Sequence, residues 1–380
     1  VMLRQTRLCV FLLRESSSRA NRSPSSSIDI SSMKPRSFKY TDSLVRHLQQ
    51  SLILHEPGRF VILQKPYGVP CLGFKQRDGG VFKNSVHNSL DRDEYAKEEL
   101  GEIKSLDDTV TVADCIPQLS KILREPNLAF CTGLKRYVSG PLILPCGRND
   151  YDNMRSSIKT ASSYSSSKAS EHFYQYSALV IVVGTPEESE GTMNGYASFQ
   201  PVGNHKEYIL VEGVDASRRQ KTGKYAVQGE LSWNTLGSAH DCSLIHIQFG
   251  KFARHLPRLM LSQMNCPILG DALYAQRFFD VDGTAVRQEP SRAARNKGKK
   301  YIPHGLLNHL KIGLDDYSTL PMFFHVWQTV LPKYGSGGTS APDLVASSPP
   351  PDHFSAMVDA LGLSRPLKHF WNEQSSVDDE

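Results

Sequence analysis

Apolar residues recur along this chain in two rhythms. Helical spacing marks TDSLVRHLQQSLILHE at 41–56, where Leu44, Leu48, Leu52 and Leu54 form an approximate stripe. It returns in VADCIPQLSKIL, in KFARHLPRLMLSQM at 251–264 despite Pro257, and in the closing DHFSAMVDALGL. Unbroken apolar runs predict buried strands at FVIL (60–63), YSALVIVVG (176–184), YILVEGV (208–214), CSLIHIQF (242–249) and within MFFHVWQTVLP, with another at GELSWNTLG (229–237). CPILGDALY reads as strand or loop, and TPEESEG as a polar turn. Many strands interrupted by a few helices predict an α+β chain rather than a doubly wound parallel sheet.

Punctuation suggests the organisation. Residues 1–40 form a basic leader or tail, 41–335 the folded body, and 336–380 a Ser/Pro-rich break followed by a short helix. Within the body, RSSIKTASSYSSSKAS at 155–170 has the composition of a linker, and 287–300 is a basic loop. The leader carries eight Arg and Lys residues between Arg4 and Lys39 against Glu15 and Asp29 only. That Arg-rich, Ser-rich, acid-poor pattern fits an organelle transit peptide better than a secretory signal; a plain basic tail is the alternative.

Charge changes little: a formal +5 tolerates a polyanionic partner without requiring one. No run approaches the roughly 18 apolar residues of a membrane span. Seven scattered cysteines with no C-x-x-C spacing argue against a disulfide framework and a zinc site, and point to a reducing compartment.

The stretch GLKRYVSGPLIL (133–144) raises a chemical question. Lys135 and Arg136 stand just before a turn and an apolar strand, where two adjacent cations need a reason.

Together, in order, four segments resemble the RluA family of pseudouridine synthases. They are Lys65-Pro66-Tyr67-Gly68-Val69-Pro70 after a strand, GLKRYVSGPLIL, the strand opening at Tyr176, and KFARHLPRLMLSQMNCPILGDALY. The resemblance covers roughly residues 58–333, CPILGDALY being its most specific piece. It is narrower still to a mitochondrial branch of the family with degenerate central motifs. It implies a large, mostly antiparallel mixed sheet split by a cleft and flanked by helices. It also implies conversion of uridine to pseudouridine in mitochondrial RNA (mRNA or rRNA), in the matrix, with no cofactor and no metal. RNA-processing or ribosome-assembly proteins are further partners it would suit.

By the same resemblance Lys135 occupies the position of the family's aspartate, which acts on the ribose of the target uridine. Detaching uracil from C1′ calls for a group that stabilises or traps positive character at the sugar, and a carboxylate does so as nucleophile or base. An ammonium lacks the lone pair and repels that charge, so Lys135 would first have to lose its proton. Arg258 takes the place of the family arginine that pairs with the aspartate, and Tyr176 that of the tyrosine that packs against the target base. Gly133, Val138, Phe252-Ala253 and Leu256 depart from the family pattern; His255 and Arg258 keep it. Three cations without a carboxylate suit a phosphate better than a nucleophile. Asp271 reads as a turn residue bonded to nearby amides.

RNA carrying a flipped uridine needs an apolar or aromatic pocket and cations for its backbone. Candidate contacts are Arg136, Lys65 and His255 near the motifs, Arg218 and Arg219 in one basic loop, and Arg292, Arg295, Lys297, Lys299 and Lys300 in another. His246, His304, His309 and His325 show no ligand spacing and read as structural. The alternative to a synthase is a catalytically silent RNA-binding factor, and position 135 separates the two.

Overall fold

The computed structural model describes residues 8–9, 30–71, 110–131, 133–164, 173–202, 205–212, 226–289, 293, 296–335 and 341–377. The first helix, α1 (Thr41–Gln50), is shorter than the leucine stripe predicted. Ser51 ends it by bonding its hydroxyl back to the His47 carbonyl at 2.9 Å. Beyond it the leucines alternate with period two, and Pro57-Gly58 turns the chain between β1 (Leu52–Glu56) and β2 (Phe60–Lys65), with Gly58 at φ +74°. The helix predicted over 41–56 is therefore a helix followed by the first strand of a hairpin.

Next comes α2 (Val112–Leu123), opened by a reciprocal capping box between Thr111 and Asp114. β3 (Gly140–Pro145) completes a three-stranded antiparallel sheet in the order β1-β2-β3. One face of this sheet packs on α1 and α2 through Val61, Leu63, Leu142 and Leu144. The other face, through Phe60, Ile62 and Ile143, meets α3 (Arg148–Tyr164). That helix overturns the linker reading for residues 155–164. Met154, Ile158 and Ala161 recur at helical spacing and are buried, and the Ser157 hydroxyl donates to the Pro332 carbonyl at 2.6 Å. Serine-rich composition hid the periodicity; residues 165–170 lie outside the described residues.

The main sheet holds β4 (Tyr176–Val183), β5 (Glu190–Val202), β6 (His205–Glu212), β7 (Ala226–Ala239) and β8 (Cys242–Phe249). After β8 come helix α4 (Leu256–Gln263) and a hairpin of β9 (Phe278–Val281) and β10 (Thr284–Arg287). Two short helices follow, α5 (His304–Leu310) and α6 (Leu314–Ser318), and then β11 (Phe324–Leu331) and β12 (Leu344–Ser347) rejoin the main sheet. The chain closes with two helices, α7 (Asp352–Ala360) and α8 (Ser364–Val377). Strand order is Leu8–Cys9, β12, β11, β4, β8, β7, β5, β6, antiparallel throughout except for the Leu8–Cys9 edge. β5 escaped the sequence reading because EGTMNGYASFQPV mixes polar residues and glycines with few apolar positions. The α+β class and the mostly antiparallel mixed sheet stand as expected.

β4 is buried along its whole length. Ala178, Val180 and Val182 face α4 and the 134–138 loop, while Leu179, Ile181 and Val183 face α5 and α7. Continuous hydrophobicity in YSALVIVV follows from coverage on both sides. Where β3 begins, Ser139 bridges to His325 of β11, so the two sheets join next to GLKRYVSG. Cys71, Cys115, Cys131, Cys146, Cys242 and Cys266 are free and buried, and burial pushes the thiols of the last five up to about 12.

Candidate functional site

The loop at 134–139 is held by groups that converge from three directions. Lys65, at the end of β2, is fully buried, and its ammonium donates to the carbonyls of Val138 at 2.8 Å, Pro66 at 3.0 Å and Arg136 at 3.5 Å. The Gly68 amide donates to the Arg136 carbonyl at 2.9 Å, and the Cys71 thiol lies 3.3 Å from that of Leu134. From the main sheet, the Val326 amide donates to the Ser139 carbonyl at 2.8 Å, and the Ser139 hydroxyl meets His325 Nδ1 at 3.0 Å. Burial drives the His325 imidazole down to about 3, so it is neutral here. Lys65 thus fixes the motif loop from inside rather than touching a phosphate, which corrects the expectation from its charge.

Lys135 is itself 3% exposed, and Arg136 is half-buried. A solvated strand mouth is therefore not the explanation for Lys135. Gly133, where the family carries an arginine, is hemmed in: a Cβ there would lie 2.6 Å from the Phe130 ring and 2.8 Å from the Cys71 sulfur.

Arg258 comes from the first turn of α4. Pro257 sits beside it at the helix start, where a missing N–H costs nothing, and His255 at φ +57° precedes it. This explains why a proline inside the predicted helix is tolerated. Arg258 is 1% exposed and pairs with Asp271, Nε to Oδ2 at 2.8 Å and Nη2 to Oδ1 at 2.7 Å. The same carboxylate accepts from the amides of Leu273 and Tyr274, both at 3.1 Å, so the turn expected of Gly270-Asp271 is formed. Burial alone would raise the Asp271 carboxyl, but the Arg258 charge and hydrogen bonds with the Tyr274 amide hold it below the usual carboxylate range. Gly270 is required because its Cβ would stand 2.0 Å from the Pro321 carbonyl oxygen, at φ +82°.

Around this pair the side chains form a column. The Arg258 guanidinium lies 4.6 Å from the Tyr137 ring centroid and 5.2 Å from that of Tyr274; the Arg277 guanidinium lies 4.6 Å from Tyr274 on its own account. Arg277 also donates to the Tyr208 carbonyl at 3.0 Å. His255, 2% exposed, is enclosed by Tyr137, Tyr208 and Tyr274, with Nδ1 3.0 Å from the Tyr274 hydroxyl. It is an interior residue, which corrects its assignment as an RNA contact. Arg277 carries no pattern in sequence that would have singled it out.

Tyr176 opens β4 and is 9% exposed. Phe249 stacks on it at 5.4 Å and 28°, and Phe252 leans against it at 4.9 Å. One apolar cluster takes in Leu134, Tyr137 and Val138 around Lys135, Tyr176 itself, and Leu256 and Leu259 around Arg258. Tyr176 and the chain neighbours of Lys135 and Arg258 therefore belong to one core. Tyr137 links Arg258 directly to the Lys135 loop.

The basic 287–300 loop is more engaged than a bare charge run. Lys299 pairs with Asp280 at 2.9 Å, and Lys300 donates to the Gln276 carbonyl at 2.6 Å while lying 3.7 Å from the Phe279 ring centroid. Lys297 is exposed. Arg218, Arg219, Arg292 and Arg295 lie outside the described residues. Among the described residues, no three His, Cys, Asp or Glu side chains gather as a metal site, and no helix is long and apolar enough to cross a membrane.

No family model matches the chain. It is 24% identical over 327 residues to the Mus musculus protein "Mitochondrial mRNA pseudouridine synthase Rpusd3", spanning 84% of this chain and 80% of that one. It is 24% identical over 331 residues to the Xenopus tropicalis "Pseudouridylate synthase RPUSD4, mitochondrial", spanning 85% and 83%. Among solved structures, "Human RNA Pseudouridylate Synthase Domain Containing 4" superposes with a TM-score of 0.53 at 19% identity, covering 84% of this chain and 96% of that one.

Proposed function

From a chain that carries the pseudouridine synthase fold and is a relative of mitochondrial pseudouridylate synthases, we propose an RNA pseudouridine synthase of RluA type, acting in the mitochondrial matrix on uridines of mRNA or rRNA. The observation that carries this reading is the reunion of the motif segments. The 134–138 loop, Tyr176 and the start of α4 come from distant parts of the chain and border one core. The reaction breaks the C1′–N1 bond, turns the uracil and joins C1′ to C5. The C5 proton leaves, N1 gains one, and no atom is lost overall. In its amine form Lys135 has the lone pair such a step needs; as an ammonium it has none. For the base to stack on Tyr176, Phe252 must yield its place, since it now covers that ring.

A second reading is favoured by one specific arrangement. Position 135 has no carboxylate, and the guanidinium expected to pair with one is bound to Asp271 instead. The chain then binds mitochondrial RNA and supports its stability, ribosome assembly or translation without isomerising it.

Purified chain incubated with mitochondrial transcripts bearing tritium at uridine C5 separates the two. Tritium released to water by the wild type but not by Lys135→Met supports the first. RNA retained on a filter by both proteins, with no tritium released by either, supports the second.

A further inference from the structure

Against Lys65-Pro66-Tyr67, and lined by none of residues 134–139, lies a cavity of about 480 Å³. Its wall is assembled from four separate stretches: the arm at 31–36, His47 of α1, residues 64–67, and 349–353 at the start of α7. Lys135, Tyr176 and Arg258 do not line it. The wall is also braced: Gln64 donates to the Pro349 carbonyl at 2.7 Å, and the Tyr67 hydroxyl accepts from the Met322 amide at 2.9 Å.

Its chemistry is divided. Lys34 and Arg36 are exposed cations on the arm. Asp352 is the one carboxylate, standing in the first turn of its own helix, where negative charge is at home. Tyr67 and His353 meet edge to face at 5.6 Å, and the Pro349–Pro351 run continues this apolar wall. A space in the usual range for small ligands, lined by two exposed cations and by rings and prolines, matches one chemical unit. We propose that this cavity binds a nucleoside monophosphate unit, its phosphate on Lys34 and Arg36 and its base or sugar against Tyr67, His353 and the prolines. The unit is either a free nucleotide or one residue of an RNA strand. The assignment does not rest on the isomerisation reading, because Lys135, Tyr176 and Arg258 take no part in the cavity.

His47 gives an independent signature. Burial and the Arg36 charge hold its imidazole below the ordinary value, and Asp352 pulls the other way, while buried His353 is driven down to about 4 and stays neutral. A phosphate seated beside Arg36 offsets that repulsion and favours protonated His47. Binding therefore takes up a proton and tightens as pH falls through the histidine range.

Calorimetric titration of the full chain uses three probes: UMP, uridine, and a short single-stranded oligouridylate. UMP is expected to bind at least roughly tenfold more tightly than uridine, a difference of about 1.4 kcal/mol. The double variant Lys34→Ala/Arg36→Ala, whose side chains are exposed, should keep the wild-type melting curve and lose roughly tenfold in UMP affinity. His47→Gln should flatten the rise in affinity between pH 8 and 6. Should the double variant weaken only the oligouridylate, with UMP unbound by wild type, the site holds a strand residue rather than a free nucleotide. The proposal is overturned if the double variant binds UMP and oligouridylate as the wild type does, or if the wild type binds neither.

Discussion

Asp271→Asn perturbs the site where its geometry is most sharply defined. The substitution keeps an oxygen for the Leu273 and Tyr274 amides but removes the charge that Arg258 faces at 2.7 and 2.8 Å. Both partners are buried, so the guanidinium is left without its counter-charge in a low-dielectric interior. Breaking one side of such a pair costs about 3–5 kcal/mol. For a folded unit larger than about 200 residues that corresponds to a fall in Tm of roughly 10 °C. Thermal and urea unfolding of wild type and variant supply the measurement. The pH dependence adds a sign. Because the folded carboxyl titrates below its ordinary value, its contribution is complete above that value and is lost as pH falls through the folded one. Wild type therefore converges on Asp271→Asn in acid. Arg258→Met/Asp271→Leu should be less destabilised than the sum of its single variants. A single-variant cost below about 1 kcal/mol, or simple additivity in the double, would refute the claim that Arg258 is committed to Asp271.

Other consequences follow from the same contacts. Lys65→Met strands the carbonyls of Pro66, Arg136 and Val138, and urea unfolding should register a loss of about 3 kcal/mol that Lys65→Arg does not recover. Gly270→Ala drives a methyl into the Pro321 carbonyl and should lower soluble yield and Tm by more than a typical surface change. Burial holds the imidazoles of His246, His325 and His353 down to about 4, 3 and 4. The unfolded chain takes up those protons first, so stability falls as pH drops from about 6.5 towards 4, by roughly 2 kcal/mol per histidine at pH 5. Chevron or urea titrations at pH 7.5 and 5 should show it. If Lys135 grips a phosphate, Lys135→Met weakens RNA binding and reduces the slope of log affinity against log salt by about 0.7; an unchanged slope removes that role.

What could be read from the chain depended on how each signal is encoded. β4 declared itself because YSALVIVV is covered on both faces and tolerates no polar break. The Leu52–Glu56 strand did not, since its leucines continue the stripe of α1 and only Pro57-Gly58 reveals the hairpin. Lys65 shares the inward parity of Val61 and Leu63 in β2, so alternation alone placed its ammonium inside, where its charge suggested otherwise. Asp271 was legible as a turn residue, while its pairing with Arg258 joins two elements and leaves no spacing rule to follow. The Tyr137–Arg258–Tyr274–Arg277 column has the same origin: its members are brought together by packing of α4 on the motif loop, a tertiary event.

The modification of mitochondrial uridines proposed for this chain is decided by a pseudouridine map of that RNA. Cells lacking the chain would be compared with cells rescued by the wild type or by Lys135→Met, at matched protein levels. Particular pseudouridines should disappear, return with the wild type and stay absent with Lys135→Met although RNA is still bound. If every pseudouridine persists in the cells without the chain while RNA abundance or translation falls, modification is not its task, and the buried Lys135 belongs to a protein that binds RNA without isomerising it.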